Sequence, residues 1–205
     1  MKALWKLDQP LLLASSSITR LHLLQSACVP VEARAPDVDE RAIEGALQAR
    51  KINPDAIALE LAIAKGLQVS RVCSDRLVIA ADQTLSFERE QLHKPKTIDD
   101  ARVQLRKLSG KTHALHSAVV CFLNGAQVFA HVDTARLTMR DLGQSFLDAY
   151  LSIAGDAVTR SVGGYQVEGL GMHLFARIEG DQSTILGLPM LPLLAYLRHA
   201  GAIEA

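Results

Sequence analysis

Four apolar residues, Leu11 to Ala14, give way to Ser15, Ser16 and Ser17, and Arg20 follows three positions later. Hydroxyls, backbone N–H groups at a helix start and a guanidinium fork make an anion site. The same residues would equally serve as an N-cap serine with a surface arginine. A second point is Asp82, which closes the apolar run "RLVIAAD" (76–82). A carboxylate at the end of a buried strand is costly unless it is paired, metal-bound or solvated at a cleft; the alternative is an aspartate capping the next turn. A third is "HKPK" (93–96), two lysines around a proline before a helical pattern, which could also be ordinary surface charge. All three fall where α/β sheets collect ligands, beyond the carboxyl ends of strands.

Other chemistries are excluded by what is missing. The stretch "GGYQVEGLG" (163–171) is neither GxxxxGK[ST] nor GxGxxG, "LSGK" is too short for a phosphate loop, and no GxSxG elbow occurs. The 7 histidines show no metal-ligand spacing, and the 3 cysteines (Cys28, Cys73, Cys121) are widely spaced without a CxxC. They read as reduced thiols of a cytosolic protein, not as a zinc site or a disulfide frame. The 22 basic and 22 acidic side chains cancel, which argues against a nucleic-acid partner. The first residues, interrupted by Lys6, Asp8 and Pro10, hold no signal-peptide core, and no apolar run approaches a membrane span. The expectation is a cytoplasmic protein with no membrane partner.

The elements that must position these points follow from periodicity. Residues 10–14 and 29–35 read as strands, with the acidic "PDVDE" (36–40) after the second; 18–27 and 54–70 read as helices, the latter opened by Pro54. "RLVIAAD" is a buried strand, and "QTLSFEREQLHKP" a short hairpin leading to a helix over 97–108. Two long β-rich runs flank Asn124–Gly125, a hairpin signal. A helix over 143–152, a strand over 172–179 and a helix over 190–199 complete the chain. No linker or repeat interrupts it. The pattern predicts one α/β domain spanning 1–205, a mixed, twisted sheet flanked by helices, with two lobes around a cleft.

"LLLASSSITRLHLL", "APDVDE", "LAIAKG", "VIAADQTL", "HKPKTIDDARVQLRKLSGKTH", "GGYQVEGLG" and "IEGDQSTILGLP" occur in an order and spacing that resembles the Maf family of nucleoside-triphosphate pyrophosphatases, over nearly the whole chain. The resemblance implies hydrolysis of the α–β phosphoanhydride of a nucleoside triphosphate, with a divalent metal such as Mg or Mn, by a homodimer. It implies phosphate contacts from Ser15, Ser17, Arg20, Lys65 and Lys94. Glu40 and Asp82 would be the metal-binding acidic pair, with Asp82 also the proton acceptor. A polyphosphate needs local cations even in a chain of zero net charge, and a carboxylate can orient or deprotonate the attacking water.

Three residues bear on the base. Gln83 and Glu168 resemble the branch of the family acting on 7-methyl-GTP, where the dTTP/UTP branch has Thr and Gln. A carboxylate at 168 can accept from both N1–H and the exocyclic amine of guanine, and a cationic methylated base favours it further. Thr19 departs from that branch, which has a stacking Trp there, and Ser17-Ile18-Thr19-Arg20 replaces the family's S-P-R-R or S-P-W-R. The resemblance thus implies removal of non-standard nucleotides, 7-methyl-GTP-like substrates favoured. Its alternatives are a dTTP/UTP pyrophosphatase, or a nucleotide-binding regulator of cell division with little turnover.

Overall fold

The computed structural model describes residues 4–88 and 90–204. The chain runs β1 (Leu11–Ala14), α1 (Ile18–Ser26), β2 (Val31–Ala33), α2 (Glu40–Ala49), α3 (Pro54–Val72), β3 (Val78–Phe87) and β4 (Glu90–Leu92). It continues through α4 (Ile98–Leu108), β5 (Thr112–Leu123), β6 (Ala126–Met139), α5 (Gln144–Ala154), β7 (Phe175–Glu179), α6 (Gln182–Ile185) and α7 (Met190–His199). The seven strands form one mixed sheet in the order β2-β1-β3-β5-β6-β7, with β4 also on β3. β1 is parallel to both β2 and β3, whereas β3–β4 and β6–β7 are antiparallel. The expected mixed α/β class is what the chain adopts.

Contacts divide the chain into two compact units. The first holds the residues up to Gln83, Ser117–Asp133 and those from Gln182; the second holds Thr84–His116 and Thr134–Asp181. In the first unit both faces of the strands are buried, which explains the unbroken apolar runs. Leu11, Leu13, Ile79, Ala81, Val119 and Cys121 share one cluster with Leu24 of α1 and Leu193 and Leu197 of α7. The alternate residues Leu12, Ala14, Val78, Ala80, Val120 and Phe122 share the other with Ala58, Ala62 and Val69 of α3. That helix lies so close that a Cβ on Gly66 would stand 2.7 Å from the Phe122 ring.

In the second unit α4 is held by a capping box. Thr97 Oγ1 accepts from Asp100 N at 3.0 Å, and Asp100 Oδ2 accepts from Thr97 N at 3.0 Å. Leu85, Leu105, Leu108, Leu137, Met139, Leu147 and Leu174 are buried there.

Several boundaries differ from expectation. Helix α2 was not foreseen; it has only the short stripe Ile43, Ala46 and Leu47, with Gly45 in its middle, and none of its residues is buried. Asp39 caps it by accepting from Ala42 N at 3.0 Å. β3 does not stop at Asp82 but continues to Phe87. The polar Asp82–Gln83–Thr84 run ends the apolar pattern while the backbone stays extended. β7 begins only at Phe175, because Leu170–Leu174 form a 3-10 turn. The turn at Asn124–Gly125 is as expected, with φ of 52° and 74°, the signature of the two-residue hairpin.

Candidate active site

In the first unit three elements bring two acids to one ammonium. Helix α3 buries Leu61, Ala62, Lys65, Gly66 and Val69. The Lys65 stem is therefore wrapped in apolar neighbours while its head reaches past them. Its Nζ is paired with Asp82 Oδ1 and stands 2.9 Å from Glu40 Oε2. Asp82 sits in the middle of β3, not at its end, and alternation along the strand turns it to the same face as Val78 and Ala80, the face α3 covers. Glu40 is the first residue of α2 and is half-exposed, where Asp82 and Lys65 are nearly enclosed: their side chains are 51%, 11% and 7% accessible. Neither Lys65 nor Asp82 would be tolerable there alone.

The serine turn lies in the same unit. Ser17 caps α1, its Oγ accepting from Arg20 N at 3.4 Å; Ser15 Oγ accepts from Ser17 N at 3.1 Å and from Arg20 Nη1 at 3.4 Å. Of the two readings open in the sequence, the N-cap serine is present, but the arginine is not a free surface residue. Arg20 Nε donates to Gly187 O and Nη1 to Ala81 O, both at 2.8 Å. Burial lowers the guanidinium's pKa, and the negative charges of Asp82 and Glu40 oppose that shift. Thr19 lies half-buried in the first turn of α1.

Gln83 also belongs to this unit, and its amide nitrogen is fully engaged. It donates to Ser117 Oγ at 2.9 Å and to the carbonyls of Thr184 and Ile185, both at 3.0 Å. Those carbonyls fix which end of the amide is nitrogen. Ser117, Thr184 and Gly187 were not anticipated as partners. Thr184 and Gly187 lie in the "IEGDQSTILGLP" stretch, whose last glycine takes φ +93°, whereas Ser117 lies in no such motif.

Lys94 and Glu168 belong to the second unit, each exposed, Lys94 in the loop after β4 and Glu168 in a turn. That turn follows Tyr165, which is buried and pinned. Its Oη lies 2.5 Å from His113 Nε2, and its ring meets Phe175 edge-on at 4.9 Å between centroids. Tyr150 Oη donates to the Gly164 carbonyl at 3.2 Å. Burial pushes the Tyr165 hydroxyl's pKa up and brings His113 down to about 4. His113 Nδ1 is buried without a partner.

Among the described residues no group of three or more His, Cys, Asp or Glu could hold a metal ion by itself. No described helix is long and apolar enough to cross a membrane.

The chain matches the Maf-like protein family profile over residues 10–200. It is 50% identical over 195 residues to the 7-methyl-GTP pyrophosphatase of Rhizobium meliloti (strain 1021), covering 95% of this chain and 98% of that protein. It is 51% identical over 196 residues to the nucleoside triphosphate pyrophosphatase of Rhodopseudomonas palustris (strain BisB18), covering 96% of each. The 7-methyl-GTP pyrophosphatase of Brucella abortus biovar 1 (strain 9-941) is 46% identical over 194 residues, 95% of this chain and 98% of that protein.

Proposed function

This chain belongs to the Maf-like family, and from that premise we propose that it hydrolyses nucleoside triphosphates to the monophosphate and pyrophosphate, with 7-methyl-GTP-like substrates favoured. The observation that carries the reading is the enclosed Lys65–Asp82 pair with Glu40 on the same ammonium. A fold gains little from burying such a group, since apolar residues of equal volume usually serve stability as well or better.

In this reading Asp82 accepts a proton from the attacking water. Lys65 holds the Asp82 carboxylate in one orientation. Ser15 and Ser17, with the backbone N–H groups at the start of α1, bind phosphate oxygens, and Arg20 contributes Nη2, its Nε and Nη1 being engaged elsewhere. Lys94 adds a further phosphate contact, and Thr19, Gln83 and Glu168 select the base. A divalent ion fits the donor set. Glu40 and Asp82 offer hard oxygens, and two carboxylates completed by phosphate and water is the usual manner of holding Mg²⁺. The charges of Arg20, Lys65, Glu40 and Asp82 also cancel, so these four leave no surplus to neutralise a polyphosphate. A bound divalent ion would supply that neutralisation and polarise a phosphoryl oxygen. A homodimer in the cytoplasm belongs to the same reading.

The test is a panel of 7-methyl-GTP, GTP, dTTP and UTP with Mg²⁺ or Mn²⁺, following monophosphate and pyrophosphate separately. Equal amounts of the two, fastest from 7-methyl-GTP, are expected. Preference for dTTP and UTP would overturn the reading of Glu168. Tight nucleotide binding with no pyrophosphate would make the chain a regulatory binder.

A further inference from the structure

Glu168 rides on a loop whose two ends meet at one buried cluster of rings. The loop leaves the core at Tyr165 and returns at Phe175, the first residue of β7, and those two rings meet edge-on. His113, near the start of β5, lies against both, its ring centroid 5.6 Å from that of Tyr165 and 6.1 Å from that of Phe175. Tyr165 and His113 are only 4% and 2% exposed, so water cannot take the place of either partner. Their hydrogen bond, Tyr165 Oη to His113 Nε2, therefore ties the root of the loop to the sheet.

The loop itself is drawn tight. The Gln166 carbonyl accepts from Gly169 N at 3.2 Å and from Gly171 N at 3.1 Å, so the backbone turns back on itself around Glu168. A Cβ on Gly171 would collide with that carbonyl oxygen. Ahead of the root, Gly163 takes φ +81°, and a Cβ there would stand 2.5 Å from the Tyr165 ring. A compact loop with adjacent ends moves as one piece about its root. Tyr150, Val158, Tyr165, Gln166 and Leu170 line a cavity of about 70 Å³ beside it, which leaves room to shift once the root gives way.

We propose that His113 and Tyr165 are positioning residues for base selection, whose hydrogen bond fixes the root of the 166–174 loop and thereby the place of the Glu168 carboxylate. The inference rests on the reading of Glu168 as a residue that selects the base. A carboxylate accepting from both N1–H and the exocyclic amine of guanine must keep two bonds aligned at once, and such bonds weaken steeply with misalignment. Thymine and uracil offer one such donor and stand to lose less. Loosening the root should therefore fall on the binding of guanine nucleotides. Turnover should be spared, since Asp82, Lys65 and Glu40 are carried by β3, α3 and α2.

The experiment compares Tyr165→Phe, His113→Asn and their double variant, with Glu168→Gln as reference, on the same four triphosphates. Circular dichroism and urea titration first establish a temperature at which each is folded. Tyr165→Phe and His113→Asn are each expected to raise KM for 7-methyl-GTP and GTP roughly tenfold, the worth of one charge-assisted hydrogen bond. KM for dTTP and UTP should rise far less, and kcat should stay near wild type. The double variant should lose little more than either single, because both act through one hydrogen bond. Equal losses on all four substrates, or a fall in kcat at unchanged KM, would mark a merely structural role and overturn the proposal; multiplicative losses in the double would do the same. If Glu168→Gln leaves the ranking of bases unchanged, the reading of Glu168 fails and this inference with it. If Glu168→Gln alters the ranking and Tyr165→Phe does not, the anchoring role alone is refuted. Should His113→Asn not fold, Tyr165→Phe decides the matter, since it removes one oxygen and keeps the ring.

Discussion

Each unit encloses a pair of polar side chains, and the two pairs are held in opposite ways. In the first, Lys65 and Asp82 are enclosed as opposite charges, with Glu40 supplying a second, half-exposed carboxylate. In the second, His113 and Tyr165 are enclosed as neutral partners, one hydrogen bond between them and aromatic rings around. A charged cluster costs desolvation and is worth keeping where charge has work to do. A neutral pair costs little and suits a residue that only has to hold a loop. The contrast predicts that the first cluster governs turnover and the second governs stability against acid.

The largest effect should come from Asp82→Asn, which keeps the shape and removes the proton acceptor. We expect kcat to fall by about 10²–10⁴-fold, the usual worth of general-base help, with the folded state retained. Near wild-type turnover would show that Asp82 is not the base. Lys65→Met comes next. It leaves a carboxylate enclosed without its partner, and the urea midpoint should report a loss of about 3–5 kcal/mol. Adding Asp82→Asn to it should recover part of that stability; if the double variant is instead less stable than Lys65→Met, charge burial is not the cause.

The neutral pair is probed by pH. The unfolded chain takes up a proton at His113 near the ordinary 6.5, but the folded protein only at about 4. Between those values the unfolded state binds more protons, so stability falls as pH drops through the window. Below it, this group contributes no further slope. The full loss is about 3 kcal/mol. The difference between wild type and His113→Asn in urea midpoint across pH 7 to 4 measures it; parallel curves would refute the account. Smallest is Thr97→Ala, which removes one half of the α4 capping box and should cost about 1 kcal/mol with unchanged kcat.

Much of the site was legible in residue order. The resemblance picks out the serine turn, Arg20, Lys65, Lys94, Asp82 and Glu40 as one polyphosphate-handling set, and all of these but Lys94 lie in the first unit. What was misjudged there is instructive. Asp82 was placed at a strand end because the hydrophobic pattern stops at it, but hydrogen bonding between strands does not depend on side-chain polarity, so β3 runs on to Phe87. The resemblance makes Arg20 a phosphate contact and Gln83 a base-selecting residue, and both side chains are rich in donors. A donor count says nothing of which acceptors lie nearby, and here those acceptors are carbonyls of residues 81, 184, 185 and 187.

The amino-acid order by itself determined the local quantities: strand and helix periodicity, the Thr97 cap, the Asn124–Gly125 turn, and the residue types able to meet a polyphosphate. Those follow from interactions between near neighbours in the chain. Which ammonium stands between which carboxylates, and which arginine is already taken, was decided only by the folded molecule. Partners 61, 101 and 167 positions apart meet through packing, and no spacing rule reaches that far.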